Sequence, residues 1–195
     1  MASSDTADNP PSKETACLSA ARAFKDEGNA LFGNGQIGKA MRKYHVALIQ
    51  VKGVERLGSL GSNVLIASIV PGAEDVDKDT LHHLAKLKRQ ADISIRLPCY
   101  NNLSACMLKL EDWPKAISFA SQALALDVDN VKALFRRGQA YYFDRDFGRA
   151  KQDLQTVLGL DPDNKAAQQH LAMVEVQLSE GEKKERKMCQ AMFGS

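Results

Sequence analysis

A period of 34 residues constrains this chain more than any other feature of its sequence. The segment Leu97-Pro98-Cys99-Tyr100-Asn101-Asn102-Leu103 lies one period before Val131-Lys132-Ala133-Leu134-Phe135-Arg136-Arg137. The same displacement superposes Tyr100 on Leu134, Met107 on Tyr141, Trp113 on Phe147 and Ala116 on Ala150. It also superposes Leu126 on Leu160, Asp127 on Asp161 and Asn130 on Asn164. Residues 21–54 join the register through Phe24, Gly28, Leu31, Ile37, Ala40, Tyr44 and Ala47. Apolar residues recur at helical spacing from Ala20 onward, and strand-like alternation is nearly absent. A self-similar unit of this length cannot bury its apolar face alone; it folds by stacking on its neighbours.

Small residues fall at positions eight, twenty and twenty-seven of the unit, where two antiparallel helices would approach closely. This pattern resembles the tetratricopeptide repeat. The resemblance implies an all-α superhelix of three helix-turn-helix repeats plus a C-terminal capping helix. The repeats are expected at 21–54, 97–130 and 131–164, followed by the cap and a basic tail at 165–194. Two positions depart from the family pattern: Val128 stands in place of the closing proline, and Val157 in place of the late small residue. The turns read Gly33-Asn34-Gly35-Gln36, Leu110-Glu111-Asp112 and Asp144-Arg145-Asp146. Pro162 ends the third repeat, and Asn164 is suited to cap the helix that follows. That helix is expected to run to about Ser179, with Ala166, Leu171, Val174 and Leu178 inward.

Outside the register, residues 1–17 are polar, carry Pro10-Pro11, and read as a disordered tail before a domain at 18–194. The insert at 55–96 reads as a loop, from Gly53 to about Asp75, and then as a helical extension starting near Asp77. The extension runs into the second repeat, where Pro98 is expected to kink it by removing a bond to the Ser94 carbonyl. The apolar run Val64 to Val70 is expected to pack on the scaffold, or else to cover part of its groove.

Composition narrows the function classes. A hydrophobic share of 44% and a charged share of 26% are those of a globular chain. A net charge of +2 argues against nucleic acid or an anionic membrane as partner, so any basic site must be local. The longest apolar run is too short to span a bilayer, and the N-terminus lacks the pattern of a secretory signal, so a cytosolic or nuclear protein is expected. Cys17, Cys99, Cys106 and Cys189 are scattered and read as reduced thiols. The adjacent His82 and His83 point about 100° apart on a helix and make no metal site. No phosphate loop, metal cluster or activated nucleophile is legible, so neither catalysis nor a cofactor is expected.

The chemistry resides in polar residues on the first helix of each repeat, at positions the helix seam does not need. Lys25 and Asn29 are one turn apart in the first repeat, Asn102 lies in the second, and Lys132 and Arg136 are one turn apart in the third. The segments FKDEGN, YNNLSAC and VKALFR that hold them resemble the carboxylate-clamp repeat domains of heat-shock co-chaperones. The resemblance implies that these five residues bind an acidic C-terminal tail ending in EEVD, as presented by Hsp90 or Hsp70. Phe32, Phe135 and Tyr142 are candidates to receive the apolar residue that precedes the acidic run.

The insert after KYHVALIQVKG, the YNNLSAC element and the terminal KMCQAMFG further resemble the tetratricopeptide repeat protein 9 family and the C-terminal halves of FKBP-type immunophilins. The likeness covers residues 20–194, and the short N-terminal tail is not expected to hold an isomerase domain. Two other functions compete with tail binding. One is a general scaffold that uses the insert or the outer surface. The other is a calmodulin-responsive helix around Lys183, Lys184, Arg186 and Lys187, whose charge Glu182 and Glu185 dilute. The sequence carries no signal of oligomeric state.

Overall fold

The computed structural model describes residues 13–61 and 78–193, and these are helical apart from short turns. The helices are α1 (Lys13–Gly33), α2 (Ile37–Gly61), α3 (Lys78–Ala91), α4 (Leu97–Lys109), α5 (Trp113–Leu126), α6 (Val131–Phe143), α7 (Phe147–Leu160) and α8 (Lys165–Phe193). A π-helical segment, Asp92–Arg96, joins α3 to α4. Two compact units divide the chain, the first ending at Cys99 and the second beginning at Tyr100.

The first unit is built on the α1–α2 hairpin, against which the π segment packs. Ala21, Ala40, Tyr44 and Ala47 are fully buried in it, as are Ile95 and Cys99. Gly28 is required by close approach: a Cβ there would lie 2.6 Å from Cε1 of Tyr44. Two boundaries differ from the expectation. Helix α1 begins at Lys13, so residues 13–17 of the expected tail are helical, and Leu18 one turn on is buried. Helix α2 continues to Gly61, so residues 53–61 of the expected loop are also helical. Isolated glycines cost a helix only about 1 kcal/mol each, whereas the first true breaker, Pro71, comes later. The run Val64 to Val70 lies outside the described residues.

The helical extension before the second repeat is present, but Pro98 is accommodated differently from a simple kink. The chain widens into the π segment just ahead of the proline, and the Leu97 N–H reaches back five residues to the Asp92 carbonyl. The Ser94 hydroxyl donates to the Gln90 carbonyl at 2.6 Å, and Arg96 pairs with Asp92 at 2.9 Å.

In the second unit the 34-residue period is visible in the hydrogen bonds themselves. Asn130 accepts from the Ala133 N–H and donates to Asp127, while Asn164 accepts from the Ala167 N–H and donates to Asp161. The positions predicted to be small are fully buried: Ala116, Ala123, Ala150, Val157 and Ser104, whose hydroxyl donates to the Ala116 carbonyl at 3.0 Å. A Cβ on Gly138 would meet Leu154 Cγ at 3.1 Å. The aromatics at register positions are only half-buried here; Trp113 instead stacks on the exposed Phe143 at 4.6 Å.

The expected capping helix is present but longer. It continues through Gly181, and residues 179–192 are exposed. Its inner face holds Ala167 and Val174 fully buried, with Leu171 and Leu178 half-buried, whereas Ala166 faces solvent. The inward row is thus carried by Ala167, one residue beyond the expected Ala166.

Candidate functional site

The five predicted tail-binding residues divide between the units. In the first, Lys25 and Asn29 lie one turn apart on α1. Lys25 is half-buried, with its ammonium 3.3 Å from Asp26. Asn29 is exposed, and its Oδ1 accepts from the fully buried Tyr44 hydroxyl at 3.0 Å. That bond commits the amide oxygen to the scaffold, and the opposite end of the amide carries only donors. Tyr44 therefore supports the site as well as the core, a role its place in the seam did not reveal. Phe32 is half-buried on the same helix.

In the second unit α4 supplies Asn102 and α6 supplies Lys132 and Arg136. Helix α6 starts where it does because Asn130 caps it, and Asn101 from α4 donates to that same Asn130 side chain at 3.1 Å. Arg136 Nη1 donates to the Asn101 carbonyl at 2.7 Å, which fixes the guanidinium beside the residue that precedes Asn102. One edge of the planar fork is thereby held while its other N–H groups keep a defined direction. Lys132, one turn earlier, is exposed and makes no ion pair among the described residues. The structure thus brings Arg136 and Asn102 together and places Lys132 beside them on α6.

Phe135 and Tyr142 are half-buried and turned toward the cap helix. Both meet the His170 ring of α8 edge-on, at centroid distances of 5.4 and 6.4 Å. His170 Nε2 is also 2.9 Å from the Gln139 amide nitrogen. Burial lowers the pKa of His170 below the ordinary histidine value, favouring the neutral ring. Sequence reasoning singled out neither Gln139 nor His170, although the 34-residue register that places Arg136 after Asn102 places His170 next.

Other reactive groups are muted. Burial pushes the Cys99 thiol up to about 12 and the Cys106 thiol up to about 11, far from the range of a nucleophilic thiolate. Among the described residues no cluster of three or more His, Cys, Asp or Glu is arranged to hold a metal, and no helix is long and apolar enough to cross a membrane. Within the second unit, Lys132 and Arg136 are cationic N–H donors one turn apart on α6, a chemistry suited to carboxylates.

No family model matches the sequence. The chain is similar to tetratricopeptide repeat protein 9C of Xenopus tropicalis, with 29% identity over 180 residues that cover 91% of this chain and 94% of that one. It is 41% identical over 100 residues to peptidyl-prolyl cis-trans isomerase FKBP4 of Homo sapiens, a segment covering 51% of this chain and 22% of that protein. The C-terminal tetratricopeptide domain of a Plasmodium falciparum FK506-binding protein superposes with a TM-score of 0.66 at 27% identity, covering 88% of this chain and 96% of that one. The myosin chaperone UNC-45 from C. elegans, solved in complex with a Hsp90 peptide, superposes with a TM-score of 0.57 at 25% identity over 83% of this chain and 14% of its own.

Proposed function

From a tetratricopeptide-repeat chain similar over nearly its whole length to tetratricopeptide repeat protein 9C, we infer a noncatalytic adaptor that binds the acidic C-terminal tail of a chaperone of the Hsp90 or Hsp70 type. The observation that carries the reading is the bond from Arg136 to the Asn101 carbonyl, which holds a rigid guanidinium beside Asn102 and one turn from exposed Lys132. A tail ending in aspartate presents two carboxylates at its last residue. In this reading Lys25, Asn29, Asn102, Lys132 and Arg136 share those carboxylates and that of a nearby glutamate. Lysine contributes a compact charge, arginine a two-bond fork, and asparagine donors without added charge.

Each well-made charge-assisted hydrogen bond contributes roughly 1.5–3 kcal/mol. A few of them, less the entropy of ordering the tail, correspond to affinities on the order of micromolar. That strength suits an adaptor that exchanges on and off an abundant partner. The Hsp90 peptide bound to UNC-45, a chain of the same fold, supports this choice of ligand.

The test is a titration of the full chain with a peptide ending in MEEVD, as free acid and as C-terminal amide. The free acid is expected to bind and the amide to bind at least about tenfold more weakly. Lys132→Ala with Arg136→Ala should lower free-acid affinity by a similar factor or more. Equal binding of acid and amide, or an unchanged affinity in the double variant, overturns the reading. Recovery of cellular partners that ignore the double variant would instead support a scaffold acting through another surface.

A further inference from the structure

In the second unit each leading helix seats the preceding second helix on the same register positions. Ala133 and Ala140, at positions three and ten of α6, are fully buried, as are Ala167 and Val174 at those positions of α8. Polar contacts across the two seams show which helix lies opposite. Arg137 of α6 reaches the Ser121 hydroxyl of α5 at 3.4 Å, and Glu175 of α8 pairs with Lys151 of α7 at 3.6 Å. On α1 positions three and ten hold Ala23 and Ala30, and both are exposed. Glu27, at position seven between them, is exposed as well. The first hairpin thus carries the residues of a helix seat on a face that is open among the described residues.

That face also has a groove and a charge. Ala30 and Leu31 line a groove of about 540 Å³ together with Glu27 and, from α2, Lys39, Arg42 and Lys43. Lys43 is committed to Glu27 and lies over the Phe24 ring at 5.0 Å. Lys39 and Arg42 are exposed and make no ion pair among the described residues. The groove is therefore positive, and its excess charge sits on α2 beside the open seat.

We propose that this face of the α1–α2 hairpin docks an amphipathic helix of another protein, apolar on one side and acidic on the other. Packed helices lie about 8–10 Å apart, and alanines two turns apart on α1 permit that approach. The apolar side of the incoming helix would cover Ala23, Ala30 and Leu31, as second helices cover the equivalent positions of α6 and α8. Its acidic side would meet Lys39 and Arg42, whose stems can pack while their charges pair. A second copy of this chain would bring the same positive excess, which disfavours self-pairing. Ala23, Glu27 and Ala30 lie about 150° around α1 from Lys25 and Asn29, so the face is separate from the proposed tail-binding residues and independent of that reading.

The experiment measures fluorescence anisotropy of the full chain with two acetylated and amidated helical peptides of about 20 residues, long enough to hold a helix. One is built of alanine, leucine and glutamate, the other has lysine for every glutamate. The acidic helix is expected to bind at least about tenfold more tightly than the basic one. Lys39→Glu with Arg42→Glu should reverse that order. Ala23→Gln with Ala30→Gln, which keeps the charge and changes only exposed positions, should weaken the acidic helix about tenfold. Lys132→Ala with Arg136→Ala should leave its binding unchanged, and a free-acid peptide ending in MEEVD should not displace it. Equal binding of the two helices, or an order that survives the charge reversal, overturns the proposal. Loss of binding in the Lys132 and Arg136 double variant assigns the acidic helix to the tail site and also overturns it. Self-association that the glutamine pair abolishes would give the face to a second copy, and binding seen only after deletion of residues 62–77 would give it to the chain's own insert; either result overturns the proposal. None of these results bears on whether the free-acid tail binds.

Discussion

The α1–α2 and α6–α7 hairpins bridge their helices at the same two register positions, seven and twenty-three, with ion pairs of opposite polarity. In the first hairpin the acid is on the leading helix, as Glu27 paired with Lys43. In the other the base leads: Arg137 holds Asp153 by two bonds, Nε to Oδ2 at 2.7 Å and Nη2 to Oδ1 at 2.8 Å. The α4–α5 pair has Leu103 and Phe119 at these positions. The period thus dictates where two helices touch and leaves open what touches. The two ion pairs differ most in burial. Glu27 and Lys43 side chains are 52% and 36% exposed, whereas Asp153 is 7% and Arg137 25% exposed. A solvated pair contributes at most about 1 kcal/mol, but removing one partner of a buried pair strands a charge.

The largest expected effect follows from that difference. Asp153→Ala should cost about 3 kcal/mol of unfolding free energy in urea, because Arg137 loses both bonds of its fork and its partner charge. Lys43→Ala should cost less than about 1 kcal/mol. Replacing both Arg137 and Asp153 by the leucine and phenylalanine found one repeat earlier should cost less than Asp153→Ala alone, since no charge is left unpaired. Equal costs for Asp153→Ala and Lys43→Ala would remove burial as the distinction between the hairpins.

Next in size is the glycine at position eight, present in both hairpins. Alanine in place of glycine gains about 1 kcal/mol of helix propensity, which steric conflict must exceed to destabilise. At Gly28 the new methyl would sit 2.6 Å from a fully buried tyrosine ring whose hydroxyl is bonded to Asn29, so a net loss of about 2 kcal/mol is expected. At Gly138 the closest atom is 3.1 Å away on a leucine, and the gain and the conflict should nearly cancel. Comparing the two midpoints in urea checks this. A further outcome is specific to Gly28→Ala: displacing Tyr44 releases the Asn29 oxygen, so free-acid peptide affinity should fall even where the variant is fully folded.

These contrasts explain what could be read in advance. Close helix approach leaves a periodic trace, because only small residues fit, and Ala40, Ala116 and Ala150 reported it faithfully. Helix ends leave a weaker trace. The start of α1 and the ends of α2 and α8 lie beyond the expected bounds because polar and glycine-containing stretches lack a breaker strong enough to end a helix. The π segment before Pro98 was legible as a disturbance but not in kind. At the candidate site the charged and amide residues were legible from their spacing, while their supports were not. Arg136 is anchored by a backbone carbonyl, which any residue at position 101 would supply. His170 drew no notice because a single histidine on a cap helix has no motif; only its contacts with Gln139, Phe135 and Tyr142 distinguish it.

The smallest expected effect concerns the turns between paired helices, where backbone geometry is shared and the residues are not. All three turns close with the same bonds: Gln36, Asp112 and Asp146 each donate an N–H to the carbonyl five residues back. The residue before each donor is left-handed, with φ of 73° at Gly35, 58° at Glu111 and 65° at Arg145. Only the first is a glycine, so the other two carry the strain of a Cβ in that conformation. The second and third turns compensate with an aspartate that caps the following helix: Asp112 accepts from the Lys115 N–H and Asp146 from the Arg149 N–H. Gln36 stands at that position in the first turn, where its backbone carbonyl receives the Lys39 and Ala40 N–H groups. Arg145→Gly should therefore raise stability by about 0.5–1 kcal/mol, and Gly35→Ala should lower it by about 1 kcal/mol. Thermal or urea midpoints moving in these opposite directions would show that the shared turn geometry holds in solution. A loss of stability in Arg145→Gly would mean that the arginine side chain, which with Phe143 and Lys184 lines a pocket of about 410 Å³, contributes more than its backbone costs.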